Sequence, residues 1–115
     1  MFENLEIFGL AQARARHAAT RQTQVAMNVA NADTPGYRAR DVVAFEDAFR
    51  AAGARQDPTR PQFRTMDAGG PESPNGNTVS LELEMIRAVE AQRDHSRALN
   101  VYRSAMNVLR TSLGR

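Results

Sequence analysis

The feature that most limits the fold is a pair of heptad stripes, one at each end of the chain, kept apart by a segment crowded with helix breakers. From Phe8 the positions Phe8, Ala11, Ala15, Ala18, Gln22, Val25, Val29 and Ala32 advance by alternating steps of three and four, which puts them on one helix face. That face is narrow and rich in alanine. A second, longer stripe runs through Met85, Ala88, Gln92, His95, Leu99, Tyr102, Met106, Leu109 and Leu113, and its side chains are bulky. Small residues opposite large ones favour close knobs-into-holes packing, and the roughly forty intervening residues let the chain return on itself. The expected fold is all-α: two long terminal helices pairing as an antiparallel coiled coil, with a largely irregular middle segment. The seam of this hairpin joins Phe8, Val25 and Val29 to Leu99, Tyr102, Met106, Leu109 and Leu113, with Phe8 near Leu109 and Leu113. Gln22 and Gln92 bring an amide into each stripe, where it either fixes register or sits at a solvated edge.

The C-terminal helix has a second apolar line, Ile86, Val89, Val101, Ala105 and Val108, that one partner helix cannot cover. An isolated hairpin is therefore expected to be marginal and an assembled one stable, with Ile86, Val89, Val101 and Val108 packing between subunits. Between the helices, "AFEDAFRAAGARQ" reads as a short helix around Phe45 and Phe49. Pro58, Pro61, Gly69, Gly70, Pro71, Pro74 and Gly76 then follow closely enough that no regular element is expected among them. "PESPNGN" hands over to Thr78 or Ser80 as N-cap, with Glu82 and Glu84 in the first turn. The chain divides accordingly into an N-terminal coiled-coil helix (1–33), a turn motif, short helix and flexible Pro/Gly-rich loop (34–77), and a C-terminal coiled-coil helix (78–115).

Composition removes several functions. All fifteen basic residues are arginine and thirteen acids face them, so the net charge of +2 is too balanced for a dedicated nucleic-acid binder. Residues 97–115 carry four arginines and no acid, while 72–94 hold five acids against two arginines. Acids near a helix start and bases near its end complement the macrodipole. The absence of cysteine excludes disulfides, zinc-thiolate sites and thiol catalysis. No apolar run reaches the length of a membrane-spanning helix. Glu3 and Glu6 precede the first apolar patch and Arg14 and Arg16 follow it, the reverse of a cleavable signal peptide.

Candidate chemistry is sparse. Asp94, His95 and Ser96 are consecutive on a helix, point in different directions and cannot relay a proton. His17 and His95 lie on different helices, and Gly69-Gly70 lacks the lysine and strand of a phosphate loop. No catalytic, cofactor or metal constellation is expected, and the chain does not read as an enzyme.

The informative stretch is "NVANADTPGYRARDV", residues 28–42. Pro35 disfavours helical geometry at Thr34, and Pro-Gly is the preferred centre of a type II turn, so the helix must end near Asp33. Asn28 and Asn31 share a face, and Tyr37 emerges where its ring can fold back onto them. This stretch resembles the N-terminal signature of bacterial flagellar rod and hook proteins, in the form typical of proximal rod members. "GNTVSLELEM" is similar to the segment opening that family's C-terminal helix, and "LRTSLGR" to its end. Ser80 departs from the family, where many members carry an acid.

The resemblance implies a structural subunit of the flagellar basal-body rod, the periplasmic drive shaft needed for flagellum assembly and motility. It implies an assembly and turn motif at Asn28, Asn31, Asp33, Thr34, Pro35, Gly36 and Tyr37, and self-association in a helical array. Implied partners are other rod subunits, the adaptor FliE and the flagellar type III export gate, with export that leaves the N-terminus uncleaved. No cofactor, nucleic acid or small-molecule substrate is implied. The rival class is a soluble coiled-coil adaptor or export chaperone that binds a partner helix.

Overall fold

The computed structural model describes residues 2–54 and 61–114, in the order α1 (Phe2–Ala30), β1 (Arg40–Val42), α2 (Phe45–Ala54), β2 (Thr65–Asp67) and α3 (Leu81–Ser112). The two long helices occupy the two stripes. α3 contains neither glycine nor proline, starts on Ser80, whose hydroxyl accepts from the Leu83 N–H at 3.4 Å, and carries Glu82 and Glu84 in its first turn and Arg110 in its last. Thr78, the other candidate cap, is buried and used elsewhere.

α1 and α3 run antiparallel. Phe8 packs edge-on against Tyr102 at 5.1 Å between ring centroids, Gln22 donates to Gln92 at 3.0 Å, and Asn28 donates to Glu84 at 2.8 Å. Partner numbers fall as α1 advances, which gives an elongated body of 63 × 29 × 15 Å. Phe8, expected near Leu109 and Leu113, thus has its ring partner two turns earlier on α3. The Gln22–Gln92 bond lies at the exposed edge of the seam.

The seam is rotated from the expected one. The buried residues of α3 are Glu84, Ala91, Ala98 and Ala105, an unbroken seven-residue repeat lying one position before Met85, Gln92, Leu99 and Met106. The other half of the stripe, Ala88, His95, Tyr102 and Leu109, is half-buried where the sequence puts it. On α1 the buried set includes Ala11 and Ala18. Among the described residues, every buried apolar side chain of the two long helices is alanine, and methyl-sized side chains let the helices approach closely while larger residues flank them. Phe8, Val25, Tyr102, Met106 and Leu109 are half-buried flankers, whereas Val29 (46%), Leu99 (38%) and Leu113 (63%) are exposed.

One boundary shifts and one segment is more regular than expected. The α-helical part of α1 ends at Ala30, not Asp33, because the last turn tightens: Asn31, Ala32 and Thr34 each donate to the carbonyl three residues back at 3.1 Å. The middle is more ordered than expected, since β1 and β2 form an antiparallel pair with Arg40 opposite Asp67 and Val42 opposite Thr65. Breakers crowd both sides of β2 but leave 62–68 free of proline and glycine, and three extended residues show no readable periodicity. Arg55, Gln56 and Pro58 lie outside the described residues.

α2 forms around Phe45 and Phe49 and buries Phe45, Ala48 and Ala52. It is anchored to α1 through His17, which donates from Nε2 to the Val43 carbonyl at 2.8 Å and sits edge-on to Phe45 and Phe63. α1 is thereby covered on one side by α3 and on another by the segment carrying the strands.

Candidate functional site

The turn after α1 has the form that Pro-Gly dictates. Tyr37 N–H donates to the Thr34 carbonyl at 3.2 Å, and Gly36 sits at φ +73°. A positive φ at the third position is the mark of a type II turn and the reason for glycine there. The chain reverses, and the Tyr37 hydroxyl returns to α1, donating to Asn28 Oδ1 at 3.0 Å.

Asn28 is completely buried and its amide uses both ends. Nδ2 donates to the Arg40 carbonyl at 2.7 Å and to Glu84 Oε1 at 2.8 Å. Oδ1 accepts from Gln24 at 3.0 Å, from Tyr37, and from the Arg40 N–H at 3.2 Å. The amide thus pairs with both backbone groups of Arg40, as a neighbouring strand would, while holding the first turn of α3. A buried amide that bonds three segments fixes their mutual positions, because each group it satisfies would otherwise be buried without a partner.

Charged residues extend this hub. Glu84, also fully buried, bonds Arg87 through its second oxygen, and Arg87 Nε lies 3.6 Å from Asp41 Oδ2. Asp41 in turn receives both Nε and Nη2 of Arg21 at 3.0 and 3.1 Å, and Arg21 Nη1 reaches Glu90 at 3.1 Å. Burial acts to lower the Arg21 pKa, but its bonds to Asp41 and Glu90 outweigh this and hold it above the ordinary arginine value. The chain of acids and arginines joins α1, β1 and α3.

The segment before α3 docks on the same turn. Asn77 Nδ2 donates to the carbonyls of Asn31 and Thr34 at 2.9 and 2.8 Å, taking up acceptors that the end of α1 leaves open, while its Oδ1 receives the Val79 N–H at 2.7 Å. Gly36 N–H donates to the Asn75 carbonyl at 2.9 Å, Thr78 N–H to the Tyr37 carbonyl at 3.0 Å, and Ala39 N–H to Thr78 Oγ1 at 2.8 Å. The two stretches that stood out in the sequence, "DTPGY" and "NGNT", therefore form one joint.

Gly36 and Gly76 meet at its centre. A Cβ on Gly76 would lie 3.4 Å from Gly36 Cα, an ordinary contact, so its φ of +85° decides the cost of substitution. Gly76→Ala is expected to lower stability by about 1 kcal/mol, read as a lower urea midpoint at unchanged m-value.

Of the other residues singled out in the sequence, Asn31 donates to the Met27 carbonyl at 2.8 Å and accepts from the Thr34 hydroxyl at 3.1 Å. Asp33 and Pro35 are exposed at the tip. Ile86, Val89, Val101 and Val108 form an outward line, each between 45% and 55% exposed. The sequence reading passed over Arg21, Asp41, Asn77 and Arg87, and took Glu84 only as an acid in the first turn of α3, although it also stands in the seven-residue register of Ala91, Ala98 and Ala105.

No protein-family model matches the sequence. The chain is, however, similar to the flagellar basal body rod protein FlgB of Agrobacterium fabrum, at 32% identity over 109 residues, covering 79% of this chain and 80% of that protein. The chain belongs to the FlgB family of flagellar basal body rod proteins. The likeness to flagellar rod and hook proteins, read from the turn and the start of α3, is thus borne out by a FlgB relative. In this member of the FlgB family those two segments are joined to each other through Asn28, Gly36 and Asn77.

Proposed function

We propose that the chain is a structural, non-catalytic subunit of the proximal rod, the shaft that crosses the periplasm, and that flagellum assembly and motility depend on it. The observation that carries this reading is the FlgB relative, aligned over about four-fifths of both chains. The form of the molecule supports it: a thin helical hairpin leaves Ile86, Val89, Val101 and Val108 outside, where neighbouring subunits in a helical array would cover them. On this reading the terminal helices (1–33 and 78–115) form the shaft-building hairpin. The turn motif (Asn28, Asn31, Asp33, Thr34, Pro35, Gly36 and Tyr37) aims residues 34–77 at adjacent subunits. The partners are other rod subunits, the adaptor FliE and the flagellar type III export gate.

Export through the type III apparatus removes no leader, which fits acids before the first apolar patch and arginines after it. Purified basal bodies are expected to contain the protein with residues 2–20 intact by mass. A strain with a disabled flagellar export apparatus and normal general secretion should have none in its periplasm. A shortened N-terminus in basal bodies, or periplasmic protein in that strain, would overturn the assignment.

A further inference from the structure

We infer that Asn75 is a site of spontaneous deamidation, open whenever the joint between the turn and the start of α3 comes apart, and that the isoaspartate product can no longer close that joint. The chemistry is local. Asparagine is a thermolabile side chain, and of the seven in this chain only Asn75 is followed by glycine. Gly76 has no Cβ to keep its backbone nitrogen from approaching the Asn75 side chain. That nitrogen gives up its proton and attacks Asn75 Cγ. A new C–N bond forms, the Cγ–Nδ2 bond breaks, and Nδ2 departs as ammonia with the proton that Gly76 has lost. Water then opens the cyclic imide. Breaking the ring bond at Cγ gives aspartate; breaking the bond at the main-chain carbonyl carbon gives isoaspartate, whose backbone runs through Cβ and Cγ.

In the folded chain this path is closed, although Asn75 itself is exposed. The Asn75 carbonyl accepts from the Gly36 N–H at 2.9 Å, and the Gly76 N–H donates to the Ser73 carbonyl at 2.8 Å. Both groups belong to the same planar peptide unit, so its nitrogen turns toward the side chain only if both bonds break together. Asn75 Oδ1 is held as well, accepting from the Asn77 N–H at 3.1 Å. Asn77 is in turn tied to the carbonyls of Asn31 and Thr34, and its own carbonyl accepts from the Ser73 N–H at 2.8 Å. Protection therefore comes from docking on the distant turn, not from burial. The two products differ in what they can rebuild. Aspartate keeps the backbone and an oxygen for the Asn77 N–H. Isoaspartate lengthens the backbone between Ser73 and Asn77 by a carbon atom, so the bonds to Gly36 and within the Ser73–Asn77 turn no longer close together. A chain that has stayed unfolded for long is thereby marked, and the mark keeps the start of α3 off the turn.

The test follows the purified full-length chain in mildly alkaline buffer across a urea series, with circular dichroism giving the folded fraction at each concentration. Timed samples are quenched in acid and digested, and the peptide holding Asn75 is resolved into asparagine, aspartate and isoaspartate forms by chromatography and mass. Loss of asparagine at 75 should follow the unfolded fraction and be at least about tenfold slower in native buffer than in urea. In urea it should outpace loss at Asn100 and Asn107, each followed by valine. After the urea is diluted, the unmodified chain and Asn75→Asp should regain slow exchange of the Gly36 and Thr78 amide protons, and isoaspartate chains separated from the aged sample should not. Equal rates at Asn75 in native buffer and in urea, a rate in urea no higher than at Asn100 and Asn107, or isoaspartate chains that regain protection at Gly36 would overturn the inference. Failure of Asn75→Asp to regain that protection would overturn it too, since the added charge and not the altered backbone would then open the joint.

Discussion

Asn28→Ala is expected to lower the stability of the folded chain by about 3 kcal/mol or more, and Asn28→Asp to lower it further. Alanine removes the partner of the Arg40 carbonyl and N–H, of Glu84, and of the Tyr37 and Gln24 side chains in one step. Each buried polar group left without a bond costs about 1–3 kcal/mol, and water entering the space left would recover part of that. Aspartate is nearly the same shape but places a second carboxylate oxygen against Glu84 and the Arg40 carbonyl, where an N–H is needed. Against a typical stability of about 5–15 kcal/mol, either change is large. Urea unfolding gives the magnitude and swimming in soft agar the consequence. Asn31→Ala, which loses one bond to the Met27 carbonyl and one from the Thr34 hydroxyl at a half-buried site, is the control and should cost less. If the three variants unfold at the same denaturant concentration as the parent, Asn28 does not hold the joint.

Glu84→Ala is expected to cost a similar amount, about 3–5 kcal/mol, for a different reason. Removing one partner of a buried ion pair leaves the other charge without compensation. Arg87, whose side chain is 15% exposed, would keep only Asp41, and Asn28 Nδ2 would lose an acceptor. Glu84→Gln retains an acceptor for Asn28 and much of the volume, and it should fall between alanine and the parent. The ordering parent, glutamine, alanine in chemical denaturation checks the claim. Equal stability of all three would mean that the carboxylate contributes nothing to the fold.

The general plan was legible in the sequence because it rests on periodicity. Two long runs without proline, with apolar residues three and four apart, leave few choices besides paired helices. The rotation of α3 was only half legible: Ala88, His95, Tyr102 and Leu109 lie where the stripe put them, whereas Met85 and Leu99 drew the other row one position too far. Counting bulk selects the wrong row when alanine forms the contact. The turn was legible because Pro-Gly restricts the backbone locally, and its docking partner was not, because a bond from Asn77 to Thr34 spans 43 residues. The buried network was the least visible. Glu84 in the first turn of α3 has a sufficient local reason to be there, complementing the helix dipole, and nothing local reveals that it faces inward.

The alanine seam has a mechanical consequence. An antiparallel hairpin brings both chain ends to the same side, so a pull on either end loads the contact between α1 and α3 one turn at a time. Along most of its length that front meets residues as small as Ala105, Ala98 and Ala91 on α3 and Ala11 and Ala18 on α1, each offering little area to hold it. Past the Phe8–Tyr102 ring contact at the free end, polar resistance is met at Arg21 and Asn28, close to the turn. Such a molecule is expected to peel from its ends and to be held longest at the knot of bonds near the far end. When the force is released, that end is already in register for the zipper to close.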